Sequence, residues 1–226
     1  MSTLYIVATP IGNLDDFSSR AVEILKSVDR IACEDTRTSA VLLKRYSIDK
    51  LTFSFHQHNE HQKVQHIMNL LGSGEKIAII SDAGMPGISD PGFLAVRAAH
   101  QNGHTVTVVP GPDACTTALI ASGLPSDRYL FEGFLPPKKG RQTRMKEIAD
   151  SDITVVCYVS PHKILKFLQQ LQEFAGGSRL ICVARELTKK FEQVQRAPLA
   201  ELTEYWTNNT PKGEFVLVVS GKGYKE

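Results

Sequence analysis

Apolar and polar positions alternate along this chain in two rhythms. Leu4–Ala8 is an unbroken apolar run, the pattern of a strand buried on both faces, and it empties into the turn Thr9-Pro10-Ile11-Gly12-Asn13. Phe17, Ala21, Val22, Ile24, Leu25 and Val28 then recur at helical spacing. Ile31–Cys33 predicts another strand. After a polar loop, a helix from about Asn59 brings Val64, Ile67, Met68 and Leu71 to one side and stops at Gly72. Lys76–Ile80 is a further strand. Asp90-Pro91 reads as an N-cap with proline at the first helical position, and Asn102-Gly103 ends that helix. Thr105–Val109 is a strand running into Pro110-Gly111-Pro112, and Asp113 can cap a helix reaching Ser122.

Strands alternating with amphipathic helices predict an α/β layer with a mainly parallel sheet. In such sheets the loops leaving the C-terminal ends of the strands build the binding crevice. Three of these loops, Thr9–Asn13, Ser81–Pro91 and Pro110–Ala114, are rich in Gly, Pro and Asp, which lets backbone approach a ligand closely. A break at Gly123-Leu124-Pro125-Ser126 divides the chain into a domain over 1–122 and another over 123–226. In the second, Tyr129–Glu132, Ile153–Val159, Leu180–Ala184 and Phe215–Ser220 predict strands. Helices are expected after Ser160-Pro161 and near Leu199–Trp206, and a hairpin-like connection around Phe191–Arg196 predicts a mixed sheet. The fold class expected is two α/β domains.

Composition narrows the picture modestly. Hydrophobic residues at 42% and charged residues at 22% are an ordinary globular mixture, which argues against broad disorder. The apolar runs are too short and too interrupted for a membrane span, and the start of the chain does not resemble a secretory signal. Cys33, Cys115, Cys157 and Cys182 are scattered through apolar segments without a CxxC pair, as expected for reduced core residues in the cytosol. A net charge of +2 does not announce nucleic acid, but Lys138, Lys139, Arg141, Arg144 and Lys146 form a local basic run.

Several clusters could carry chemistry, and each has a plainer reading. Asp82 can accept hydrogen bonds from an amine or a ribose hydroxyl, or simply form an Asx-turn. Pro110–Ala114 leads into a helix start that can hold an acceptor, unless Asp113 satisfies those N–H groups itself. Glu34-Asp35-Thr36-Arg37 is either a substrate contact or an internal ion pair with a cap at Thr38 or Ser39. Arg185–Lys190 is either a solvated charged end or a group facing the cleft. The basic run is a solvated face or an RNA arm whose lysines and arginines touch phosphates. His56, His58 and His61 have a spacing that can bind metal, but no cysteine or carboxylate set accompanies them, so a polar loop is expected and no metal.

Taken in order, ten segments carry a resemblance: TPIGNL (Thr9–Leu14), EDTR (Glu34–Arg37), HNE (His58–Glu60), SDAGxP (Ser81–Pro86), DPG (Asp90–Gly92), PGP (Pro110–Pro112), GLPSDR (Gly123–Arg128), EGFLP (Glu132–Pro136), ARELTK (Ala184–Lys189) and KGE (Lys212–Glu214). Together they resemble the tetrapyrrole methylase superfamily, and ARELTK with EGFLP favours its RNA-modifying branch. The resemblance implies S-adenosylmethionine in a cleft between the domains, a homodimer, and no metal. It implies cofactor contacts at Pro10, Asp82, Ala83, Gly84, Asp113, Ala114, Tyr158, Val159 and Ala184. It also implies transfer to the 2′-hydroxyl of a cytidine in small-subunit ribosomal RNA. Two positions depart from the pattern: Val159 stands where relatives usually have Glu, and Met85 where they usually have Thr.

A ribose hydroxyl is a weak acid, so transfer to it calls for a base or a nearby cation. Glu186 and Lys189 are the candidates, Lys189 as a base only if its pKa is depressed. Arg37, Lys138, Lys139, Arg141, Arg144 and Arg185 are the candidate RNA contacts. The competing readings are a methyltransferase acting on a tetrapyrrole precursor and a non-catalytic nucleotide- or RNA-binding module. A dinucleotide dehydrogenase is disfavoured, because no G-x-G-x-x-G follows the first strand.

Overall fold

A computed structural model describes residues 2–226. The chain divides into two compact units, one ending at Asp113 and the other beginning at Ala114.

The first unit is one parallel sheet. Its strands are β1 (Thr3–Val7), β2 (Arg30–Cys33), β3 (Leu51–Ser54), β4 (Ile77–Ile80) and β5 (Thr105–Val109), in the order β3-β2-β4-β1-β5. Side chains of successive residues point to opposite faces, and both faces are covered. On one face Val7, Ile31, Cys33, Ala78 and Ile80 pack with α1 (Ser19–Ser27) and α2 (Thr36–Arg45). On the other, Leu4, Ile6, Ala32, Ile77 and Ile79 pack with α3 (Glu60–Gly72) and α4 (Phe93–Gln101). Double burial is why these strands read as continuous apolar runs.

β1 and β4 are neighbours, yet the helices that follow them lie on opposite faces of the sheet. That is a topological switch point, and it opens a crevice beyond the C-terminal ends of these two strands.

The sequence offers only a possible helix cap at Thr38 or Ser39 for α2 and predicts no strand at β3, with a polar loop expected before Asn59. Their residues explain it: β3 is a short edge strand with Leu51 and Thr52 exposed, and α2 hides only Ser39, Leu42 and Leu43. Asp35 caps α2, accepting the Arg37 N–H at 2.8 Å. The start of α4 also differs from expectation. It is capped by Gly92, and the carboxylate of Glu60 accepts the N–H groups of Gly92 (3.0 Å) and Leu94 (3.3 Å), leaving Asp90 outside the helix.

The second unit holds the mixed sheet. It comprises β6 (Tyr129–Phe134), β7 (Thr154–Val159), β8 (Leu180–Arg185), β9 (Gln193–Pro198) and β10 (Phe215–Val219), in the order β6-β7-β10-β8-β9. Only the β6–β7 pairing is parallel. One face carries a large core with α6 (Arg141–Asp150), α7 (Ile164–Ala175) and α8 (Leu199–Asn208). The other face is covered by α5 (Ala114–Ser122). This helix therefore packs with the second sheet, whereas the sequence reading grouped it with the first. The Gly123-Leu124-Pro125 signal marks the end of the helix, and the change of unit comes at its start.

Among the described residues the four cysteines are buried and form no disulfide. Among the described residues no helix is long and apolar enough to cross a membrane.

Phe167 of α7 is sealed in the second core, with the Arg141 guanidinium over its ring at 5.7 Å. Phe167→Ala is expected to lower unfolding free energy by about 3–5 kcal/mol, read from urea denaturation. A loss under about 1 kcal/mol would contradict the packing described here.

Candidate functional site

The loops after β1, β4 and β5 meet at the switch point. Thr9 and Gly84 exchange backbone hydrogen bonds of 2.9 and 3.0 Å, and the Thr9 hydroxyl donates to the Ser81 carbonyl at 3.1 Å. Gly84 adopts φ +79°, a left-handed conformation that glycine tolerates without penalty. Gly111, after β5, lies so close to Ala8 that a Cβ there would sit 2.9 Å from the Ala8 methyl. Two of the three glycine-bearing loops are thus joined by hydrogen bonds and the third by van der Waals contact. Of the predicted cofactor residues here, Pro10 and Gly84 are buried, while Asp82 and Ala83 are exposed. Asp113 is half-buried, and α5 begins at the next residue. Met85 packs its side chain against the α3–α4 core.

Carboxylates gather beside this backbone. The Asp82 carboxylate accepts the Asp35 N–H at 3.1 Å, and the Glu34 carboxylate accepts the Asp82 N–H at 3.3 Å, a reciprocal tie between the loops after β2 and β4. Burial raises the Glu34 pKa, only partly opposed by the Asp82 N–H. Burial likewise raises that of Asp82. Asp90 is pushed up to about 7, first by burial and then by the charges of Glu34 and Asp82. Arg37 does not neutralise the group directly. It is paired with Asp35 at 2.7 Å, and its side chain otherwise lies in solvent. Its hydrogen bonds hold the Asp35 carboxyl down at about 2. The result is a patch that favours cationic groups and hydroxyl donors. His56 is hydrogen-bonded to Asn59, and its ring meets that of His58 edge-on at 6.0 Å. The described residues contain no cluster of three or more His, Cys, Asp or Glu arranged for a metal.

In the second unit, Tyr158 and Ala184 lie in register with Val216 between them, so their side chains share the face that α5 covers. Val159 is one residue on and points the opposite way, 5% exposed in the helical core. Only its backbone can serve a ligand on the Tyr158 side, and an apolar side chain suits the position.

ARELTK and KGE form a single clasp. Glu186 Oε1 accepts the Glu214 N–H at 3.0 Å and the Lys189 ammonium at 3.1 Å, and Lys189 also reaches Glu214 Oε2 at 2.8 Å. The Arg185 guanidinium donates to the Lys212 carbonyl at 2.6 Å. Glu186 and Thr188 hold left-handed φ values of 50° and 65°, strain that persists only where surrounding bonds over-determine it. Burial works against the Lys189 charge, but Glu214 and Glu186 outweigh it and raise the pKa. Burial also opposes the Glu186 charge, and the Glu214 N–H and Lys189 overcome that and lower the pKa. The depressed pKa that a lysine base requires is not supplied here. The arrangement instead presents a fixed ammonium.

The basic run does not act as one unit. Arg141 opens α6, is only 8% exposed, and donates to Gln170 at 2.9 Å; Arg144 pairs with Glu132 and Glu147; Lys146 lies over Phe174. Lys138 and Lys139 remain exposed, with no ion pair among the described residues. Sequence reasoning gave Asp90 only a helix-capping role and did not single out Gly213 or Glu214. Their signal was membership of the DPG and KGE pieces, which says nothing of what the side chains touch.

Two tests follow from this geometry. A Cβ on Gly213, whose φ is +90°, would overlap the Glu186 carboxyl. Gly213→Ala is expected to cost about 1–3 kcal/mol of stability, and less in a Glu186→Ala background, where the obstacle is gone. Strict additivity in that cycle would refute the clasp. Asp90 has a folded-state pKa above its ordinary 3.8, so the folded protein binds more protons than the unfolded chain between about pH 4 and pH 7. Stability should therefore fall as pH rises through that window and then level. Urea midpoints of wild type and Asp90→Asn at pH 5 and pH 8 check this, with a larger fall in the wild type expected.

The tetrapyrrole (corrin/porphyrin) methylase family matches residues 3–203 of the chain. A protein of Vibrio cholerae called ribosomal RNA small subunit methyltransferase I is 51% identical over 221 residues, covering 96% of this chain and 77% of that protein. The protein of the same name from Synechocystis is 48% identical, covering 98% of this chain and 80% of its own length. Among solved structures, the methyltransferase CobJ superposes with a TM-score of 0.74 at 19% identity, covering 100% of this chain and 97% of its own. Uroporphyrin-III-C-methyltransferase from Thermus thermophilus gives 0.66 at 17%, covering 97% of this chain and 94% of its own. At those identities the structures speak for the fold alone, whereas the sequence match runs through nearly every strand and helix described above: the chain belongs to the tetrapyrrole (corrin/porphyrin) methylase family.

Proposed function

We propose that this protein transfers the methyl group of S-adenosylmethionine to the ribose 2′-hydroxyl of a cytidine in small-subunit ribosomal RNA. The observation that carries the reading is the similarity, along 96–98% of this chain and 77–80% of theirs, to proteins named as small-subunit ribosomal RNA methyltransferases. The donor set fits the cofactor. Asp82 and its neighbouring carboxylates suit a ligand bearing a sulfonium, an ammonium and a ribose diol, and the Thr9–Gly84 bridge offers backbone close by. The further contacts we propose are Pro10, Ala83, Gly84 and Asp113, with Ala114, Tyr158, Ala184 and the backbone of Val159.

The sulfonium supplies the activated methyl group when the cofactor is bound. What remains for the protein is to align the hydroxyl and to favour loss of its proton. We assign Lys189 the part of a fixed positive charge that favours the developing alkoxide, and Glu186 the part of holding it there. Lys138, Lys139, Arg37 and Arg185 are the proposed phosphate contacts. Arg141 and Arg144 are consumed by contacts within the second unit, which argues against them. The proposed setting is the cytoplasm, where ribosomal particles reside, and the proposed assembly is a homodimer. The exposed Ile120 of α5 is apolar surface that such an assembly would cover.

The test is transfer of tritium from labelled S-adenosylmethionine to small ribosomal subunits from cells lacking the activity. Label recovered in a ribose-methylated cytidine is expected. Label appearing only in a porphyrinoid acceptor would place the enzyme in the tetrapyrrole branch, and cofactor binding without any transfer would make it a binding module. In single-turnover assays, Lys189→Met should slow transfer by about 100-fold or more while leaving cofactor affinity unchanged. Glu186→Gln should slow it less. Near-normal rates in both would sink the assignment.

A further inference from the structure

β6 ends in an aromatic side chain that the proposed reaction has not used. Phe134 is 60% exposed at the C-terminal end of the strand, in register with Tyr158 of β7. Its ring lies 5.5 Å from that of Tyr158, tilted by 62°, and Tyr158 in turn meets Phe131 edge-on at 5.0 Å. An isolated exposed phenylalanine is ordinary. This one is braced by two further rings, so it is held in place while much of its surface stays open to solvent.

The residues that follow add charge to it. Leu135 is buried and anchors the chain, Pro136 and Pro137 restrict the backbone, and Lys138 and Lys139 then stand exposed with no acidic partner among the described residues. An open, braced aromatic ring a few residues from two exposed ammonium groups matches single-stranded nucleic acid, where bases stack and phosphates pair with cations. It matches a second copy of this chain poorly. A two-fold contact through this patch would set Lys138 and Lys139 against their own copies, and like charges brought together are costly.

We propose that Phe134 is a stacking platform for an unpaired base of the substrate RNA, with Lys138 and Lys139 holding the adjoining phosphates. The proposal rests on the RNA-substrate reading and says where on the second unit that RNA is gripped. No contact to the methyl donor is required of Phe134, so its part is to bind and position the RNA.

The experiment uses the full chain with small ribosomal subunits, measuring KM, kcat and salt dependence, with cofactor affinity and solution mass recorded for each variant. Phe134→Ala and Phe134→Leu should both raise KM roughly 5- to 100-fold, the range for loss of one stacked base, with kcat and cofactor affinity little changed. Phe134→Trp should restore near-wild-type KM, since any flat ring can stack. Lys138→Ala and Lys139→Ala should each lower the slope of log affinity against log salt by about one, and Phe134→Ala should leave that slope intact. Leucine performing as well as phenylalanine would overturn the platform, because bulk and not the aromatic face would then matter. So would a rise in KM accompanied by a change in solution mass, which would mark an interface between copies. If the wild type labels no ribosomal RNA, the substrate reading fails and takes this proposal with it. If the wild type labels RNA and Phe134→Leu is unaffected, this proposal alone fails.

Discussion

The first unit is organised around one backbone exchange, the pair of hydrogen bonds between Thr9 and Gly84. β1 and β4 are side by side, but their outgoing chains must part to opposite faces of the sheet. A peptide group left unpaired at such a parting carries a desolvation cost, and here each satisfies the other. Gly84 can make the exchange because it adopts a left-handed conformation at little expense. Once the exchange is made, Asp82 is displayed beside it, and the Asp35 and Glu34 bonds follow from where that loop must run.

The two units manage charge in opposite ways. In the first, Glu34, Asp82 and Asp90 are placed near one another and partly withdrawn from water, so their pKa values rise and the region favours a positively charged or hydroxylic ligand. In the second, every member of the Glu186–Lys189–Glu214 group is answered by an opposite charge or a backbone N–H. A carboxylate held low and a lysine held high are poorly suited to trade protons and well suited to stay charged. A fixed charge needs no reorganisation when a substrate develops charge of its own, and that is the advantage such a clasp offers. Its cost is the left-handed backbone at Glu186 and Thr188 and the dependence on a residue without a side chain at Gly213.

The basic run shows how a count of charges misleads. Five cations in nine positions look like one electropositive arm. Folding sends the Arg141 guanidinium over the ring of Phe167, ties Arg144 to Glu132 and Glu147, and lays Lys146 over Phe174. An arginine stem buries well along apolar surface, and a guanidinium with carboxylates on both sides has little charge left to offer a phosphate. Lys138 and Lys139 are the exposed cations of the run with no such contact among the described residues, next to an exposed phenylalanine.

The sequence by itself determined the parts that depend on local order. Runs such as Leu4–Ala8 and Lys76–Ile80 read as strands, and Val64, Ile67, Met68 and Leu71 recur at the spacing of one helix face. Alternation of the two dictates a parallel sheet, and the ordered motifs identified the family. What it left open depends on groups distant in the chain coming together. Asp90 looked like a helix cap, because Asp-Pro is a good one in isolation, yet Glu60, thirty positions earlier in the chain, supplies that cap. The short edge strand β3 and the sparsely buried α2 carry too little apolar pattern to announce themselves. Whether Lys189 is a base or a fixed cation depends on Glu214, and whether Val159 faces the ligand side or the core depends on the pleat of β7. α5 was assigned by its neighbours in sequence, while its packing is set by the sheet whose apolar face it must cover. Periodicity is written residue by residue, but ion pairs, caps and burial are properties of the folded chain, and only the tertiary structure could decide them.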